Sequence, residues 1–448
     1  MGGARRRRSG TRWAVAAVVL VSLLLAGCGG ATRRRAVPPA PLPPTRPVTG
    51  IAYGDRLVWM SDADLAAALD TAVQVGATLV RADLSWDDIQ HDGPGSHAWY
   101  LFDRVVAAAA ARGLTVLPVL TGTPPWARSA GCTVPACGPH DAARFAAFAA
   151  AAADRYAPRG VHDWELWNEP NLTTFWAPAA DPAGYAATVE AGAAALHHAD
   201  PHAFVVLGGL SPVGSGHGDL APTVFLDRVA RQGATRAVDA IGYHPYSYPY
   251  LPSATTSFGT AWEQIDRTKE SLRSVLERDG TPGLPIWLTE EGAPTGGPGA
   301  ASDGAPGDIG PDTTHVTEQR QAEIAADAAR TAAADPGIGA LVWYTDRDAA
   351  AATGAGQGTS TEDWYGLRRA DGSAKPALAA LRTAIAQLRA AQSSGAATPA
   401  VRTASLPLSR GTAPGTAPGN GPSGRARRSA RRRGAGPRRR GARRCPGR

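Results

Sequence analysis

Apolar positions along the chain follow two periods in turn. Short apolar runs closed by turn residues recur at 50–53, 78–84, 115–120, 161–167, 204–207, 240–243, 286–289 and 340–343. Ala-rich stretches with helical spacing fill the intervals, at 64–75, 102–111, 142–153, 185–197, 225–231, 262–276, 317–334 and 376–388. A buried strand followed by an amphipathic helix is the unit of a parallel βαβ fold. Eight such pairs predict an α/β fold of the (β/α)8 TIM-barrel type over residues 49–391. A doubly wound open sheet shares the period, but the count of eight points to closure.

The two ends break this pattern. A basic run at Arg5–Arg8 precedes an apolar stretch from Trp13 to Gly27, about 15 residues and short of the roughly 20 that a membrane span needs. Leu25-Ala26-Gly27-Cys28 ends that stretch and resembles a bacterial lipobox, so residues 1–28 read as a lipoprotein signal peptide with Cys28 as the lipidated residue. An ordinary cleaved signal with an incidental Cys is the plainer alternative. A Pro-rich tether follows to residue 48. The reading implies export, with the protein anchored on the outer face of a membrane or secreted. Residues 392–448 are rich in Ala, Gly, Pro and then Arg, too poor in apolar side chains to offset ordering entropy, and are expected to be a disordered tail. Electrostatic docking to an anionic cell surface and translation past the natural stop both remain open for it.

Charge changes the picture once it is divided. The formal +7 comes from the ends: residues 1–49 carry 9 Arg and no acid, and residues 390–448 carry 14 Arg and no acid. Residues 50–389 hold 23 basic against 39 acidic side chains, a net of −16. An acidic body with 12 Trp argues against nucleic acid as a partner and suits a neutral ligand held by stacking. Cys132 and Cys137, with four residues between them, are placed for a local disulfide in an oxidising compartment. They lack the neighbouring Cys or His of a zinc site, so neither metal nor cofactor is expected.

Two strand ends carry the candidate chemistry. Trp164-Glu165-Leu166-Trp167-Asn168-Glu169-Pro170-Asn171 begins as a strand and breaks at Pro170, leaving Glu169 at its end beside an amide. Pro285-Ile286-Trp287-Leu288-Thr289-Glu290-Glu291-Gly292 is an apolar strand ending in two carboxylates. Two carboxyl groups facing each other across the mouth of a barrel, about 5 Å apart, are what hydrolysis of a glycoside with retention requires. Alternation along a strand sends Glu290 and Glu291 to opposite faces and does not say which faces inward. Glu165 shares the parity of Glu169 but lies deeper, as a structural paired acid.

Trp-Asn-Glu-Pro on the fourth strand with Thr-Glu-x-Gly on the seventh resembles the clan A retaining glycoside hydrolases. The run from Trp164 to Trp176 is most similar to family 39, which includes β-xylosidases and exopolysaccharide glycosidases. The resemblance covers residues 50–389 and implies Glu169 as acid/base, Glu290 as nucleophile and Asn168 as a partner of the sugar 2-hydroxyl. It also implies Arg81 beside the nucleophile, His244 and Tyr246 as neighbours in the site, and Trp343 as an indole on which a sugar ring stacks. Trp126, in the loop after Pro124-Pro125, is expected to line the cleft. The expected protein is a monomeric β-glycosidase acting on an extracellular oligo- or polysaccharide. A carbohydrate-binding lipoprotein on an inactive barrel is the alternative, and the presence of both carboxylates weighs against it.

Overall fold

The computed structural model describes residues 47–349 and 360–393. The expected signal peptide with Cys28, the tether up to residue 46 and the tail from residue 394 lie outside the described residues. Val48, assigned to the tether from sequence, already belongs to the first strand.

Eight parallel strands close into a barrel: β1 Val48–Ala52, β2 Leu79–Ser85, β3 Thr115–Thr121, β4 Asp163–Asn168, β5 Phe204–Leu210, β6 Ala240–Tyr243, β7 Ile286–Glu291 and β8 Ile338–Tyr344. Closure is made by β1 against β8, where Val48 to Ala52 pair in register with Ala340 to Tyr344. The layer outside is formed by α1 Asp62–Val75, α2 Tyr100–Ala110, α3 Ala142–Tyr156, α4 Pro182–Ala199, α5 Pro222–Gln232, α6 Leu272–Arg278, α7 Glu318–Ala334 and α8 Pro376–Ser393. The predicted TIM barrel is the observed fold.

Local signals explain the element edges. The Ser61 hydroxyl accepts from the Asp64 amide to cap α1, and Gly76 at φ 85° ends it, a left-handed conformation that costs glycine no Cβ clash. Asp141, Asp181 and Thr317 cap α3, α4 and α7 in the same way. The expected helix over 262–276 is broken. Glu263 turns back to accept from the amides of Thr256 and Thr260, and Ser271 starts α6 afresh with a capping box. That competition between side-chain and helical hydrogen bonds is invisible to periodicity. A small two-stranded sheet, Ala300–Ser302 with Thr313–Val316, lies in the long β7–α7 connection and was not expected.

Strand alternation divides the core in two. Ala52, Leu79, Leu117, Val206, Ala240, Trp287, Ala340 and Val342 fill the barrel interior, while Val80, Leu84, Leu166, Leu207, Leu288, Leu341 and Trp343 pack outward under the helices. Inward positions above the apolar plug carry polar groups: Arg81 and then Asp83 on β2, two and four residues beyond Leu79. That parity places the chemistry at the C-terminal mouth of the barrel.

Candidate active site

The site is organised by Arg81, whose side chain is fully buried inside the barrel. Its Nε donates to Glu165 Oε2 at 2.5 Å and Nη2 to Glu165 Oε1 at 3.2 Å. The same guanidinium donates to Asn168 Oδ1 at 2.9 Å and to Glu290 Oε1 at 2.5 Å. Glu165 is thus the structural paired acid anticipated from its depth, and it also accepts from the Gly209 amide and the Thr289 hydroxyl. A guanidinium that spans three strands in fixed fork geometry sets the orientation of the Glu290 carboxylate.

The opposite oxygen of Glu290 accepts from the Tyr246 hydroxyl at 2.8 Å. Burial pushes this carboxyl up, but the charges of His244 and Arg81 and the bonds from Tyr246 and Arg81 outweigh it. They hold Glu290 below the usual carboxylate range. It is therefore an anion at neutral pH.

Glu169 reaches the same point from β4. Its backbone has φ 41° and that of Trp167 has φ 78°, both in the left-handed region that non-glycine residues rarely adopt. The turn is held by the Glu169 amide donating to Gly209 O at 3.0 Å. Strain of this kind gathers where surrounding structure pays for a functional geometry. Asn171, from the same motif, ties the loop down by bonding the backbone of Ser211 and Leu220.

His244 lies fully buried between the two acids. Its Nδ1 is 2.9 Å from Glu169 Oε1 and 3.7 Å from Glu290 Oε2, and its Nε2 is 3.1 Å from the Thr289 hydroxyl. That hydroxyl already donates to Glu165, so it accepts from His244 Nε2–H. The contact between Nδ1 and Glu169 then needs one further proton, carried by one of the two. Burial lowers the imidazole pKa, but Glu290 and Glu169 raise it by more, so the net direction is upward. Gly209 permits the arrangement, since a Cβ there would sit 2.0 Å from His244 Nε2.

Glu291 resolves the question that alternation left open. It is 1% exposed, faces away from the cleft and accepts from the Trp262 indole N–H at 3.1 Å. Burial pushes its carboxyl well above the usual range, with Asp327 adding to the rise against the Trp262 bond. Because the folded-state pKa lies above the unfolded one, folding takes up a proton here. The stability is fully present below the ordinary glutamate range and is lost as pH rises above it. Glu291→Gln keeps an acceptor for Trp262 without that proton, and should raise Tm at pH 7 by about 1–2 °C, the shift that ~1 kcal/mol gives a domain of this size. Thermal unfolding at pH 4 should show no such gain.

The cleft above these residues has a volume of about 540 Å³. Glu169, Glu290, Asn168 and Tyr246 open onto it together with Asp55, Asp83, Phe175, Tyr248, Tyr344, Glu362 and Tyr365. Two expectations are corrected. Trp343 pairs in register with Ile51 and is buried at 1% exposure among outward core residues, so it offers no face to a sugar. The next residue, Tyr344, carries the aromatic ring at that strand end. Trp126 does not line the cleft; it packs edge-on against Trp86, lies under the Arg144 guanidinium and donates to Gln90 O. Cys132 and Cys137 form the expected disulfide.

Asp83 was missed. Burial is the main cause that pushes its carboxyl up to about 7, opposed by Arg81 and aided by Asp55, Glu290 and Glu165. The signal was present, since Asp83 has the parity of Arg81 on β2. Tyr365 also reaches the cleft and bonds Tyr248.

The cellulase model of glycosyl hydrolase family 5 matches residues 44–344, from just before β1 to the end of β8, and so takes in both glutamates. The chain belongs to glycosyl hydrolase family 5. Among solved structures, this family 5 chain is similar to a family 39 glycoside hydrolase from Bacteroides cellulosilyticus, at 23% identity and TM-score 0.53, covering 76% of this chain and 64% of that one. A family 39 enzyme from Xanthomonas axonopodis pv. citri matches at 17% identity and TM-score 0.56, over 78% and 68% of the two chains. A monomeric β-xylosidase from Caulobacter crescentus matches at 18% identity and TM-score 0.54, over 77% and 69%. The chain thus spans about two thirds of the length of these proteins, and at such identities the likeness speaks for the fold. No curated protein matches. The clan A reading holds, with family 39 enzymes as structural neighbours, and the family 5 domain is that of an O-glycosyl hydrolase.

Proposed function

We propose that the protein cleaves β-glycosidic bonds with retention of configuration. The observation that carries this is the single nitrogen, His244 Nδ1, within 2.9 Å of one carboxylate and 3.7 Å of the other. The gap between Glu169 Oε1 and Glu290 Oε2 cannot exceed the sum of those distances. It accommodates the retaining separation of about 5–5.5 Å and reaches only the lower edge of the inverting range of about 6.5–9.5 Å.

Glu290, an anion aligned by Arg81 and Tyr246, attacks the anomeric carbon. Glu169, supplied by the proton it shares with His244, protonates the departing oxygen. Water then enters, its oxygen bonds to the anomeric carbon as Glu169 takes its proton, and the bond between the sugar and Glu290 breaks to return the carboxylate. Asn168, turned toward the cleft by Arg81, bonds the 2-hydroxyl, a contact that strengthens as positive charge develops on the sugar. Tyr344 supplies the ring surface first expected of Trp343.

The substrate is an oligo- or polysaccharide outside the cytoplasm, and the chain works as an exported monomer, anchored through lipidated Cys28 or released. The leader pattern and the Cys132–Cys137 disulfide support that compartment. Proton NMR of the first product formed from an aryl β-glycoside tests the stereochemistry. The β-anomer should appear first and mutarotate later; α-anomer first would replace retention with inversion.

A further inference from the structure

A second groove opens beside the catalytic cleft. It lies between the one-turn helix Arg56–Trp59 and the start of α2, with a volume of about 200 Å³, and Asp83 borders both spaces. Trp59 and Tyr100 line it and stand 61% and 66% exposed. Single exposed hydrophobic residues are ordinary, but two large rings on one groove that meets a carbohydrate cleft are not explained by chance scatter.

The chemistry of the lining fits a sugar. A pyranose has an apolar C–H face and a rim of hydroxyls. An indole and a phenol supply flat apolar surface with a polar edge, which suits the face. Asp83, Asp88 and His91 on the same groove supply acceptors and a donor for the rim. No Lys or Arg lines the groove, which argues against a uronate or sulfated unit.

We infer that this groove is a further sugar subsite, which holds a second or third unit of a neutral glycan chain whose scissile bond lies between Glu169 and Glu290. Asp83, at the junction, bonds the unit that bridges the two spaces. This rests on the glycosidase reading and extends it: the preferred substrate is a chain, with affinity that grows with length.

The test uses the full chain with two substrate lengths, the p-nitrophenyl β-monoside it cleaves fastest and the β-1,4-tetrasaccharide of the same sugar. Trp59→Ala and Tyr100→Ala should each raise KM for the tetrasaccharide about three- to tenfold, the scale of one stacked ring. Turnover of the monoside should stay unchanged, and Trp59→Phe should recover most of the loss. An unaltered tetrasaccharide KM, or an equal loss on both substrates, overturns the subsite. If the wild-type protein cleaves neither substrate, the glycosidase reading fails by itself. Calorimetric titration with cello-, xylo- and mannotetraose then decides the groove: binding that Trp59→Ala weakens supports it, and binding that is absent or indifferent to the substitution overturns it.

Discussion

Glu290→Gln should lower kcat by at least about 10⁴-fold on every β-glycoside the protein cleaves, because an amide of the same shape cannot form the ester that divides the reaction into two easier steps. Folding should survive. Arg81 keeps its two-pronged pair with Glu165 and still donates to the amide oxygen in the place of Oε1, while the Tyr246 hydroxyl, which can accept as well as donate, meets the amide NH2 in the place of Oε2. A 2-fluoro glycoside with a good leaving group should trap the wild-type intermediate, since the fluorine destabilises the transition state for its release. Mass spectrometry of the digest should place the label on Glu290. Label on Glu291 would contradict the geometry, because that side chain is 1% exposed and bonded to Trp262 on the helix side of the barrel. The size of the loss separates the two roles of this region. Glu291→Gln alters pH-dependent stability and should leave turnover within about twofold.

Glu169→Gln is expected to cost about 10²–10⁴-fold with natural sugar leaving groups, the usual scale of general acid–base catalysis. The loss should shrink with dinitrophenyl glycosides, whose departing oxygen needs no proton. For those substrates release of the glycosyl-enzyme becomes limiting. Azide, a nucleophile that needs no general base, should then restore turnover and yield the β-glycosyl azide. No rescue, or an equal loss for good and poor leaving groups, would remove Glu169 from the acid/base role. His244 supplies a second readout, since its Nδ1 meets the same Glu169 oxygen at 2.9 Å. Because Glu169 and Glu290 together raise the imidazole pKa, neutralising either should bring it back down, visible as a titration midpoint of the His244 ring protons moved to lower pH.

Much of the barrel was legible because its signals are local. The eight apolar runs and their helical partners carry their periods within a few residues of sequence, and caps such as Ser61 and Thr317 are readable one turn ahead. The exception, the broken helix before α6, failed because Glu263 finds better acceptor contacts in a loop that its own periodicity cannot describe. Within the site, Glu169 announces itself through Trp-Asn-Glu-Pro, and Arg81 through its place on β2.

The order of strands, the helices that alternate with them and the two strand ends bearing carboxylates follow from the sequence by itself, because period, capping and breaking at Pro170 act over short stretches. Tertiary structure alone decided which face each terminal residue shows. Glu290 turns into the cleft and Glu291 away from it through the shift in register that sets three residues of β7 against two of β8 and pairs Glu291 with Trp343. On β8, which pairs with β1 without a shift, Trp343 faces outward with Leu341 and Tyr344 inward with Val342. A one-residue slip moves a side chain from one side of a sheet to the other, and the slip is set by pairing between strands some fifty residues apart. Packing across the barrel also brings Asp83, Glu362 and Tyr365 to one opening, and only closure of the sheet makes them neighbours.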